Sequence, residues 1–195
     1  MFENIKERIL GRYGENIAQR YIVLNGFDGI LTVLGITVGA FSTQVDSPLV
    51  LISSCVGTAV GLLVSGISGA YITEKAQRLR DFKELQDAML KDMEGSIQEE
   101  KVESESLFIS ILNGLSPFTF AILSVIPYFL AQLELIEMVN TAYYVSMGIS
   151  ASMLALLGGF LGKIAKESIL TYAAKMLIVG GVTAAIMYFL GLGTV

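Results

Sequence analysis

Five stretches of this chain are apolar for long enough to cross a bilayer, at about residues 21–43, 48–73, 107–132, 138–161 and 173–192. A crossing helix needs only ~20 such residues. Lipid offers no hydrogen bonds to an open backbone, so five such runs dictate an all-α, polytopic membrane protein. At 195 residues and 53% hydrophobic, the chain has room for one membrane domain and no separate soluble one.

One carboxylate, Asp28, stands inside these spans. An ionisable group there costs about 2.5–3.5 kcal/mol even on lenient insertion scales, so its presence asks for a use. If Tyr21 marks the boundary, a rise of 1.5 Å per residue sets Asp28 roughly 10 Å into the membrane. A bland alternative is an aspartate that snorkels to water or caps the backbone of a flanking glycine. Asn25, Gly26 and Gly29 beside it favour a backbone opened to an ion or to water.

Composition removes whole classes of function. The chain has no histidine and a single cysteine, Cys55. Ser-His-Asp triads, histidine-held metals, CxxC pairs and internal disulfides are therefore impossible within it. The net charge of −5 argues against a nucleic-acid partner. GlyGlyPheLeuGlyLysIle at 158–164 has neither the spacing nor the hydroxyl of a phosphate loop, and an intramembrane enzyme is the weakest reading.

Between and around the spans, four features organise the chain. Residues 1–20 place Ile5, Ile9, Tyr13 and Ile17 at four-residue steps among charged residues, which predicts an amphipathic interfacial helix. A polar first segment before a full-length span also predicts no cleavable leader. Asp46, Ser47 and Pro48 predict the start of the second span. Gly57, Gly61, Ser65 and Gly69 recur at four-residue steps in that span, with Gly35 and Gly39 in the first and Gly158 and Gly162 in the fourth. Such stripes predict close helix packing, within or between subunits. Pro117 and Pro127 predict kinks in span three.

Residues 74–106 are predicted to form a charged helical hairpin, continuing out of span two, turning near Gly95 and Ser96 and returning to span three. It holds ten carboxylates and six bases. The domain plan is thus 1–20 interfacial helix, 21–73 spans one and two, 74–106 acidic hairpin, and 107–195 spans three to five. All thirteen Lys and Arg fall in the arm, the hairpin and the span four–five connection with the first turn of span five. The positive-inside rule then sets the N-terminus and the hairpin in the cytosol and the C-terminus outside.

NGFDGILTVLGITVGA at 25–40 resembles the first-helix Asp-Gly signature of the vacuolar iron transporter family. LSPFTFAILSVIPYFL at 115–130 resembles its third helix and KMLIVGGVTAAIMYFLG at 175–191 its last. The resemblance implies a homodimer that exports ferrous iron or a similar divalent ion from the cytosol against protons, through a path between subunits containing Asp28. Two departures stand out. The family's second-helix glutamate and methionine fall near Thr58 and Gly66, and the cytosolic metal-binding region here is only 33 residues long.

The candidate ion pathway is accordingly Asp28, Asn25, Gly29, Thr58 and Ser65. Candidate metal-gathering residues are Glu84, Asp87, Glu99, Glu100 and Glu103, with Met89 and Met93 as thioether ligands; the methionines' apolar stripe suits core packing better. Gly57, Gly61 and Gly69 are candidates for helix packing. Carboxylates suit Fe²⁺ or Mn²⁺ as transported ions, with no permanently bound cofactor expected. Expected partners are membrane lipid, the divalent ion and a second copy, in the cell membrane of a prokaryote. The competing reading is a membrane sensor or assembly protein whose hairpin binds metal or a partner without transport.

Overall fold

The computed structural model describes the backbone of residues 2–89, 97–136 and 139–193, and side chains for residues 19–89, 102–136 and 139–193. The fold is five helices, α1 (Phe2–Ser42), α2 (Pro48–Met89), α3 (Ile97–Gln132), α4 (Val139–Ala165) and α5 (Ile169–Leu192). Each holds a stretch long and apolar enough to cross a membrane, as the hydropathy pattern predicts.

Local chemistry sets the helix ends. Pro48 opens α2 without sacrificing a hydrogen bond, because the first N–H groups of a helix lack internal partners. Ser168 caps α5 by accepting from the Thr171 N–H. Three helices close in one way: Gln44, Glu134 and Lys166 adopt left-handed φ values of 56°, 59° and 55°. The next residue then bonds five back, as Val45 N–H does to the Ala40 carbonyl at 3.0 Å.

The arm and the first crossing share one unbroken helix, so residues 2–20 continue α1 directly. Ile5, Ile9, Tyr13 and Ile17 lie outside the described side chains. α2 likewise runs past membrane length to Met89, and α3 begins at Ile97, which makes the two arms of a helical hairpin. The turn expected at Gly95 and Ser96 lies outside the described residues, as does Met93.

α3 is the organising helix: it packs along α2 and α1 and also meets α4. α1 barely touches α2, while α5 rests on α4 and α1. Backbones come close where a glycine faces the neighbouring helix. A Cβ on Gly66 would stand 2.7 Å from the Gly114 Cα, and one on Gly158 2.7 Å from the Ala173 Cα. Gly35 and Gly39 accommodate Met187 of α5. Gly57, Gly61 and Gly69 meet nothing within 4 Å, so the close α2 contact inside the protomer belongs to Gly66 instead. A four-residue period marks a face of a helix without naming its neighbour.

The core fills one side of α1. Val33, Cys55, Val125, Tyr128 and Tyr143 form one buried cluster, and Ile30, Leu34, Leu154 and Leu157 another. Buried hydroxyls tie the helices together: Tyr128 donates to Thr37 Oγ1 (3.1 Å), and Ser146 donates to the Ser124 carbonyl (2.7 Å). In lipid such bonds contribute about 0.6 kcal/mol each on average.

Candidate ion pathway along the first helix

Gly29 sets the register of α1 against α3. It is buried against the backbone of Pro117, where a Cβ would lie 2.8 Å from the Pro117 Cα. Gly26 is pressed in the same way by the Phe120 ring, and Ser116 donates to the Ile22 carbonyl at 2.8 Å. Only glycine lets the two helices approach this closely.

Successive residues in a helix point 100° apart, so burying Gly29 turns Asp28 away from the bundle. Asp28 is exposed on the protomer surface, and its carboxylate has no hydrogen bond or counter-ion among the described residues. Leu24, one turn earlier, is exposed as well. Thr32, one turn later, spends its hydroxyl on the Asp28 carbonyl at 2.7 Å.

Asn25 lies half-buried beside this face and joins three helices. Its Nδ2 donates to the Tyr21 carbonyl (2.8 Å) and to Asn113 Oδ1 on α3 (2.7 Å), and Asn113 Nδ2 donates to the Gly66 carbonyl on α2 (2.9 Å). Asn113 was not singled out by the sequence. The available signal was an amide inside an apolar span, but its partner lies 88 positions away.

Among the described hydrogen bonds, none joins Thr58 or Ser65 to Asp28's helix. Each bonds its own α2 backbone, Thr58 to the Ser54 carbonyl (2.7 Å) and Ser65 to that of Leu62 (3.4 Å). With Gly57, Gly61 and Gly69 they sit on an outward-facing stretch of α2.

Carboxylates near the hairpin are mostly engaged by bases. Arg78 bridges Glu105 of α3 and Glu74, and Glu74 accepts from the Tyr21 hydroxyl at 2.7 Å, clamping α1, α2 and α3 together. Lys75 pairs with Glu103 at 3.2 Å, and Arg80 pairs with Glu84 at 2.9 Å. Asp87 is exposed, and the side chains of Glu99 and Glu100 lie outside the described set. Met89 is 56% exposed, so the core packing expected of it does not occur in this protomer. Among the described residues no three acidic or thiol side chains converge on a metal-sized space.

At the opposite end of the bundle, α1, α4 and α5 enclose a cavity of about 540 Å³. Phe41, Asp46, Asn140, Tyr143 and Tyr188 are among its lining residues, so it offers a carboxylate and an amide between aromatic walls.

Five membrane-length helices, with one carboxylate among them that has no partner among the described residues, define a polytopic helical membrane protein. Residues 65–192 match the profile of the VIT family. The chain is also 33% identical over 174 residues to an uncharacterized protein of Methanocaldococcus jannaschii, covering 88% of this chain and 86% of that one. The chain belongs to the VIT family, the vacuolar iron transporters, whose members are membrane metal-ion transporters and not enzymes.

Proposed function

We propose that this protein is a homodimeric transporter that moves a divalent cation of the Fe²⁺ or Mn²⁺ kind out of the cytosol in exchange for protons. The carrying observation is the exposed, unpaired carboxylate of Asp28 at membrane depth. Such a group facing lipid costs free energy that no described residue of the protomer offsets, so a second protein surface or a watery path must cover it. A second copy supplies both. The outward glycines of α2 offer a surface two helices can share, and two Asp28 carboxylates near a twofold axis can hold one proton between them until a cation displaces it.

The location of the bases supports a cytosolic N-terminus and hairpin, and the relative in Methanocaldococcus jannaschii favours the cell membrane of a prokaryote. The hairpin carboxylates then face the ion's side of entry, and the cavity holding Asp46 faces its side of exit. The sensor reading receives less support, because Glu84 and Glu103 already have bases beside them.

Uptake of Mn²⁺ and Fe²⁺ into proteoliposomes, with and without a pH gradient, tests this reading. The parent transports and responds to the gradient, and Asp28→Asn falls to the leak of protein-free liposomes. Equal rates for parent and Asp28→Asn would falsify the proposal.

A further inference from the structure

The amide chain between α1, α3 and α2 has a direction that its two ends enforce. A backbone carbonyl can only accept, so the Asn113 group within 2.9 Å of the Gly66 carbonyl oxygen is its NH₂, and its Oδ1 faces α1. Asn25 then donates one hydrogen to that Oδ1 and the other to the Tyr21 carbonyl. Flipping either amide would set oxygen against oxygen, so the usual ambiguity between the two ends of an amide is resolved here.

Both Asn25 hydrogens are thereby spent, and its Oδ1 remains. That oxygen has no donor among the described residues, on a half-buried side chain three positions before Asp28. Residues so spaced on a helix have Cβ atoms about 5–6 Å apart, within reach of one ion.

We propose that Asn113 is a positioning residue: by holding the Asn25 NH₂, it fixes Asn25 Oδ1 as a neutral oxygen ligand for the cation that meets Asp28. The proposal rests on the reading of Asp28 as a cation site and adds a second donor to it. A carboxylate and an amide oxygen make an all-oxygen set, which suits Mn²⁺ or Fe²⁺ and offers nothing to a soft, thiolate-seeking ion.

The test is concentration-dependent Mn²⁺ uptake into proteoliposomes by the parent, Asn25→Ala, Asn113→Ala, Asn113→Leu and the Asn25→Ala/Asn113→Ala double variant. Asn113→Ala and Asn113→Leu should raise KM about 3- to 15-fold, the range of one membrane hydrogen bond, with kcat within about twofold of the parent. In the Asn25→Ala background, Asn113→Ala should leave KM unchanged, because its only route to the ion is gone. A parental KM in both single Asn113 variants, or effects that multiply in the double variant, overturns the proposal.

Should the Asn113 variants fail to fold, infrared spectra of parent protein carrying ¹³C-labelled asparagine decide the matter. Mn²⁺ should shift one side-chain carbonyl band that Asn25→Ala lacks, and no shift in the parent overturns the assignment. Transport by Asp28→Asn at the parental rate overturns both readings. A silent Asp28→Asn beside a kinetically parental Asn113→Ala overturns this one alone.

Discussion

Asp28 of α1 and four glutamates of the hairpin have opposite surroundings. Glu74, Glu84, Glu103 and Glu105 each lie beside an arginine or lysine, at the end of the bundle where water is at hand. Asp28 lies within a membrane-length apolar stretch and has no such neighbour among the described residues. Charge is cheap where the first group sits and is neutralised there; it is costly at Asp28 and is left open. A carboxylate kept where it costs most, with the least compensation, is the one to which a mobile cation can contribute most.

Four substitutions sharpen or break this contrast. The largest effect belongs to Gly29→Val, which drives a branched side chain into the Pro117 backbone and forces α1 off α3. A loss of about 3 kcal/mol or more is expected, above the usual cost of overpacking, because backbone cannot yield as a side chain can. Thermal unfolding in detergent reads it, and a parental melting temperature would show that Gly29 does not set the register of Asp28.

Next is Asp28→Asn, which should stabilise the folded protein by about 1–3 kcal/mol while removing transport, since it takes a charge out of an apolar setting. Lower stability in the variant would mean the carboxylate has a structural partner. Arg78→Met works in the opposite sense. It removes the bridge between Glu74 and Glu105, which are about one-fifth exposed, and should cost about 1–3 kcal/mol by the same measurement. The smallest effect is expected for Glu84→Gln, whose ion pair with Arg80 is largely solvated. Its melting temperature should match the parent's.

The five helices were legible because a bilayer imposes a length and a polarity that hydropathy reads directly. Pro48 and the span boundaries followed from local chemistry. Asp28 was legible because a charge in an apolar run needs no structure to be conspicuous. Side-chain partnership was less accessible. Gly57, Gly61 and Gly69 display a four-residue period as clearly as any residues in the chain, yet Gly66, out of that register, makes the close contact with Gly114. Periodicity defines faces, and only the arrangement of α2 on α3 decides which face is covered. Asn113 went unnoticed for a related reason: its role depends on Asn25 and the Gly66 carbonyl, on two other helices. Met89 was assigned to the core from a stripe that continues an apolar pattern past membrane length, yet it is exposed at the end of α2.

Equilibrium binding of Mn²⁺ to the purified full-length protein, followed by electron paramagnetic resonance, tests the central claim most directly. Two variants bracket it: Asp28→Asn, and a hairpin variant combining Glu84→Gln, Asp87→Asn and Glu103→Gln. The tightest site should disappear in Asp28→Asn and persist in the hairpin variant. Retention in Asp28→Asn with loss in the hairpin variant would move the cation to the hairpin and contradict the account.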